Sequence, residues 1–334
     1  MFRSKRGHGR RQGERKAMRA LQLGRFASAS RSCLRLLVFL IPALSFAGGA
    51  DQVQVRMENV NFHVGHGVEL RVLYLTGRLA SATPGKVPTF DDVNSYVIEI
   101  DSARVAMTAG SLTSLMNNVL FAGSNAPIKD SRVEIEGTEL KQTGTLKKGV
   151  SIPFTMRASV GVTSDGKLRL HPTSMKAAGI VPKGVLDFFG IHLDTLLKVK
   201  SESPMQVDGD DLLLDPTRVL PPPRIRGKVT KAWIADGLVF EQFGAEKPSR
   251  SITPPVASRN FMYYRGGTLR FGKLTMVDAD LLIVDDDPKD PFDFSPAEYK
   301  DQLVAGYSKN TPDNGLVVHM PDLADIAKRG ATRK

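Results

Sequence analysis

From Val68 the chain reads Val-Glu-Leu-Arg-Val, apolar and polar in turn, which is the period of a strand with one buried face. Tyr96 to Met107 predicts a longer strand. Others are predicted over 131–136, 138–147, 152–162 and 167–171. Ser164-Asp165-Gly166-Lys167 separates the last two as a tight turn, because glycine reaches positive φ without steric cost. Ala235-Asp236-Gly237 does the same between strands predicted over 225–234 and 238–243. Consecutive hairpins of this kind, from Gln52 to about Gly244, predict an antiparallel meander with no alternating βαβ units.

Two segments carry helical spacing instead. Ser111 is a good N-cap, and Leu112, Leu115, Met116 and Val119 fall on one stripe of a helix over 112–121. The second follows Pro182, a favoured first helical residue, and places Leu186, Phe188, Phe189, Leu193, Leu196 and Leu197 on more than one side. Such a segment packs on the sheet and can touch something apolar besides it. Leu220-Pro221-Pro222-Pro223 cannot pair as a central strand and reads as an extended connector. Polar, proline-bearing sequence over 246–258 reads as a linker between a β-rich domain, 51–245, and a C-terminal extension, 259–334. Strands are predicted there over 267–276 and 279–284, either extending the same sheet or forming an appendage, and a short capped helix begins at Ser295. The fold class expected is therefore α+β: a mainly antiparallel, curved sheet packed on two or three helices.

The net charge of +11 does not belong to that body. Of 46 Lys/Arg and 35 Asp/Glu, eleven bases and one acid lie within residues 1–35, which leaves 35 against 34 in the rest. A nucleic-acid binder carries its basic excess on the folded domain, so none is expected as a partner. The basic stretch runs into an apolar run from Leu36 to Ala47 and then Gly48-Gly49-Ala50. That order is a secretory signal, with cleavage near Ala47 or Ala50 and export to the periplasm or cell envelope; the alternative is an anchor that stays attached. A spanning helix needs about 20 apolar residues, and Pro42 interrupts this run. Cys33, the single cysteine, leaves with the leader, so no disulfide, zinc-thiolate site or cysteine nucleophile is expected.

No phosphate loop, G-x-S-x-G elbow or H-E-x-x-H motif is present. His63-Val64-Gly65-His66 could offer two imidazoles to a metal, but the glycines and strand-like surroundings favour two loop histidines. Asp285-Asp286-Asp287, with Asp278, Asp280, Asp290 and Asp293, supplies oxygens suited to calcium. Pro288 and Pro291 break that loop, and a solvated acidic turn is the plainer reading. Trp233 and the pair Tyr263-Tyr264 read as core or strand-face residues. Neither a metal nor another cofactor is expected.

Gly149-Val150-Ser151-Ile152-Pro153-Phe154, then Ser164-Asp165-Gly166-Lys167-Leu168-Arg169-Leu170-His171-Pro172 and the apolar helix after it, resemble the LmeA-type phospholipid-binding family. So do Leu220-Pro221-Pro222-Pro223 and Asp236-Gly237-Leu238-Val239; the likeness covers about 130–245. The resemblance implies a fold of the tubular lipid-binding (TULIP) kind, a half-barrel of sheet around a helix with an apolar groove, and a phospholipid or other acyl ligand. A groove would be lined by Leu115, Met116, Val119, Leu186, Phe188, Phe189, Leu193, Leu196 and Leu197. The function expected is non-catalytic lipid binding, with a membrane surface as a further contact. Two rivals stand beside it: an envelope scaffold whose helices only fill the core, and a metal-assisted hydrolase using His63, His66 or the aspartates.

Overall fold

The computed structural model describes residues 52–148, 150–177, 204–246 and 251–326. The leader with Cys33, and the second predicted helix with Leu186, Phe188, Phe189, Leu193, Leu196 and Leu197, lie outside the described residues. Among the described residues no helix is long and apolar enough to cross a membrane.

The chain opens with three long strands, β1 (Val53–Gly65), β2 (Val68–Ser81) and β3 (Tyr96–Thr108). Helix α1 (Ala109–Leu115) follows and continues as one wider π-helical turn, Met116–Leu120. Its N-cap is Thr108, whose side chain accepts a hydrogen bond from the Ser111 backbone N–H. The helix therefore begins a turn earlier than Ser111 predicts, because the cap sits on the last residue of a strand. Then come β4 (Ile128–Glu136), β5 (Glu139–Lys148), β6 (Val150–Val162), β7 (Leu168–Ala177), β8 (Met205–Asp208) and β9 (Asp211–Leu214). A short helix α2 (Pro216–Val219), capped by Asp215, leads through the prolines to β10 (Arg224–Arg226). The hairpin β11 (Val229–Ala235) and β12 (Leu238–Gly244) comes next.

Past the polar segment lie β13 (Phe261–Phe271) and β14 (Leu274–Asp285). The expected strand over 267–276 is corrected here: Phe271 faces Leu274, so Gly272-Lys273 is a two-residue hairpin loop, with Gly272 at φ +60°. The last elements are β15 (Phe292–Phe294), α3 (Tyr299–Ala305), β16 (Tyr307–Asn310) and β17 (Leu316–Met320). Helix α3 starts at Tyr299, past the predicted cap Ser295, and has no side-chain cap.

Among the described residues these strands form two sheets. The larger runs β11-β12-β3-β2-β1-β13-β14-β17-β16, with β10 also on β3 and β15 also on β1. The smaller runs β4-β5-β6-β7-β9-β8. Most pairs are antiparallel, while β1–β15, β3–β10 and β14–β17 are parallel. The C-terminal strands extend the same sheet, since β13 pairs along the free edge of β1.

Strand β1 shows how the sheet keeps one apolar face. Val53, Val55 and Met57 are buried; after Asn59, at φ +54°, the buried set switches to Val60, Phe62 and Val64. At the same place the neighbour changes from β13 to β15. Strand β3 is shared likewise, between β10 at its start and β12 at its end. The smaller sheet is an insertion that leaves from one end of β3 and returns, through α2 and β10, to the other.

Phe62, Phe90, Phe292, Phe294 and Tyr299 are all buried and knit the C-terminal segment to β1. Phe90 lies 5.1 Å from Tyr299 and 5.9 Å from Phe294, ring to ring. Truncating Phe294 to alanine leaves a cavity in this cluster. It should lower stability by about 3–5 kcal/mol in urea unfolding. A loss below about 1 kcal/mol would show that the cluster does not hold the C-terminal segment.

Candidate functional site

Between the two sheets runs a slot with two voids, of about 90 Å³ and about 80 Å³. The first is walled by the larger sheet, through Met57, Leu75, Ile98, Met107 and Phe243, and lined as well by Pro216, Val219 and Ile225. The second is walled by the smaller sheet, through Met156, Leu170 and Leu212, with Val239 opposite. Leu112, Leu115, Leu168, Leu214 and Glu241 line both voids, so the two are one slot pinched at its middle. Strand alternation produces the walls: every second residue of β12 (Val239, Glu241, Phe243) faces inward.

The walls belong to different hydrophobic clusters. Val72, Val105, Met107 and Phe243 join the core of the larger sheet, whereas Phe154, Met156, Met175 and Leu212 form a separate cluster on the smaller one. Helix α1 and the π-helical turn after it bridge them: Leu115 belongs to the first, and Met116 packs against the second.

Of the residues expected from sequence, Leu115 lines both voids and Met116 the second. Val119 packs against the core of the larger sheet and does not line either void. The structure adds strand residues that no helical stripe could point to, among them Leu168, Leu214 and Glu241.

Glu241 is the exception in this lining. It is 7% exposed, and among the described residues its carboxyl has no hydrogen-bond or ion-pair partner. Burial pushes its pKa up to about 7. The other polar residue of the slot, Gln142, donates from Nε2 to Ser131 Oγ at 2.8 Å. The sequence held a signal for Glu241 in Val239-Phe240-Glu241-Gln242-Phe243, where an acid falls on the apolar parity of a strand.

A second, polar cluster sits near the β1–β2 turn. His63 Nε2 contacts Asp293 Oδ1 and lies 4.0 Å from Glu69 Oε2. The three offer ligand atoms within 4.8 Å of one another, so they could hold a divalent cation. His66 takes no part; it occupies the turn itself at φ +57°. Donating a hydrogen bond to Asp293 raises the His63 pKa, against its burial. Asp322, which accepts from the Asp293 backbone N–H at 2.7 Å, is pushed up to about 7 by burial and by Asp285, Asp290 and Asp293. Asp285 is itself buried and accepts from Asn260 Nδ2 at 2.8 Å and the Asp287 N–H at 2.8 Å. Part of the acidic run is therefore structural. Trp233 stacks on Phe240 at 5.2 Å, and Tyr263 and Tyr264 are buried strand residues.

Comparison with family models, with curated proteins and with solved structures finds no match for this chain.

Both titrating sites set expected pH profiles. The folded pKa of Glu241 lies above the ordinary carboxylate value, so its cost to the fold is absent below pH 4.5 and complete above about pH 7. Glu241→Leu should therefore gain stability over the wild type as pH rises, approaching about 3 kcal/mol at pH 8. A pH-independent difference in unfolding free energy would mean that the carboxyl is solvated. His63 has the opposite sense: its raised pKa stabilises the fold below the unfolded value of 6.5, and that contribution disappears as pH rises through the folded pKa. The loss caused by His63→Gln should be larger at pH 5.5 than at pH 8.5; an equal loss at both would refute the charged pair.

Proposed function

We propose that this protein is a non-catalytic lipid-binding protein of the cell envelope that holds a phospholipid or other acyl ligand between its two sheets. The observation that carries this reading is the slot itself: among the described residues, a continuous lining that is apolar except for Glu241 and Gln142. Removing a methylene from water contributes about 0.8 kcal/mol, so ten of them supply about 8 kcal/mol with no specific chemistry. The two void volumes are narrow for a full chain, and ligand uptake on this reading parts the sheets. The separate cluster on the smaller sheet supports such opening, which would part Val162 and Leu168 from the core of the larger sheet. The tethers at both ends of β3 keep the insertion over the slot throughout.

On the same reading the molecule is a half-barrel of the TULIP-like kind, with the larger sheet as its wall and α1 beside the groove. Export follows from the basic leader and the short apolar run before Ala47. The lipid would arrive from a membrane surface, the natural reservoir of acyl chains.

Native mass spectrometry of protein purified without detergent tests the reading directly. Adducts of several hundred daltons that extract into organic solvent are expected. Leu112→Trp, which fills the junction of the two voids, should cut retained lipid at least about tenfold with the far-ultraviolet circular dichroism unchanged. A clean protein mass, together with no uptake from vesicles, would sink lipid binding and favour the scaffold reading. Zinc or calcium bound stoichiometrically and lost in His63→Ala would instead favour the hydrolase.

A further inference from the structure

We propose that Glu241 is the polar anchor of the slot, and that the ligand is a lipid with a hydroxyl group partway along its apolar body, hydrogen-bonded to the Glu241 carboxyl. The proposal rests on the lipid-binding reading and deepens it by naming the ligand's chemical class.

Glu241 sits where the two voids meet, with apolar lining on both sides along the slot. A polar headgroup at the end of a chain would sit at a mouth of such a slot. A group meeting Glu241 must lie within the apolar length of the molecule. The carboxyl is buried, and among the described residues it has neither a hydrogen-bond partner nor a counter-charge. Buried polar groups of this kind are rare, because each costs about 1–3 kcal/mol when left unmade. Water is a poor substitute. A buried water needs two to four polar partners, and among the described lining residues only Glu241 and Gln142 are polar, with Gln142 Nε2 already donating to Ser131.

The chemistry of the partner follows from what a carboxyl offers. Phosphate is disfavoured, since among the described residues the lining of the two voids includes no lysine or arginine to neutralise it. A carboxylate would repel the ionised acid. An ammonium group would form an ion pair, but taking both charges out of water costs several kcal/mol per ion. An ester carbonyl only accepts, so it serves the protonated acid alone. A hydroxyl donates to the carboxyl and accepts from it. It therefore satisfies either protonation state without adding charge to an apolar slot. Burying it elsewhere in the slot would strand it, so one carboxyl also sets the depth at which the ligand stops.

The test uses methyl octadecanoate and its monohydroxylated counterparts, with the hydroxyl near the head, at mid-chain or towards the tail. Methyl esters are chosen so that no free carboxylate competes. Affinities for the full-length protein are measured by native mass spectrometry at pH 6 without detergent. At least one hydroxylated ester should bind about tenfold more tightly than the plain ester. Glu241→Leu should abolish that preference while binding the plain ester at least as well as the wild type. Glu241→Gln, which still donates and accepts, should keep most of it and guards against a variant that fails to fold. Equal affinities across the wild-type panel would overturn the anchor and leave lipid binding standing. A preference that survives in Glu241→Leu would also overturn it. If no ester binds the wild type, the lipid reading falls and the anchor with it.

Discussion

The larger sheet presents one apolar face along most of its length, and no sheet can leave such a face in water. Strand β1 carries it from Val53 to Val64, β2 through Val72 and Leu75, and β3 through Ile98, Val105 and Met107. Much of the remaining architecture covers that face. Phe292, Phe294 and Tyr299 cover one part of it with an aromatic cluster, delivered by the segment that closes the chain. The insertion between β3 and β10 covers another part with a second sheet. The first cover packs ring against ring. The second does not pack fully, and the slot is what remains.

That difference has a cause in the insertion's own needs. Six strands with their own alternation bury Phe154, Met156, Met175 and Leu212 among themselves. Having a core of its own, the smaller sheet satisfies its apolar residues without full contact with the larger one. The layers touch beside the slot, where Val162 and Leu168 of the smaller sheet pack against the core of the larger one, so widening the slot would part those contacts. The tethers to the two ends of β3 limit how far it can open. Leu112 and Leu115 from α1 fill the pinch point and connect the layers.

Glu241 is the place where the local rule of the strand is broken. Its neighbours on the same face, Val239 and Phe243, are buried as parity requires, and a leucine there would be the ordinary choice. A carboxyl that must lose its charge to stay buried is a standing cost to the fold. Local rules are broken most often where function requires it. The polar cluster of His63, Glu69 and Asp293 breaks no such rule, since each group there meets a partner close to solvent.

Many of the strands and their turns are legible in the sequence alone. Alternation over 68–75 and 152–162, and the Asp-Gly turns at 165–166 and 236–237, all reappear as hairpins, because period and turn chemistry are local properties. It also placed Leu115 and Met116 on a helix whose stripe meets the slot. The phase of burial along β1 changes at Asn59, where the neighbouring strand changes from β13 to β15, and that depends on which strand lies alongside. Alternation runs straight through the Gly272-Lys273 turn, because a single glycine within apolar sequence is ambiguous without its partner strand. Pairing of β13 with β1, across about 200 residues of chain, belongs to tertiary structure alone. The slot does too: its lining comes from strands of both sheets, and only their stacking decides that Leu168, Leu214 and Glu241 meet.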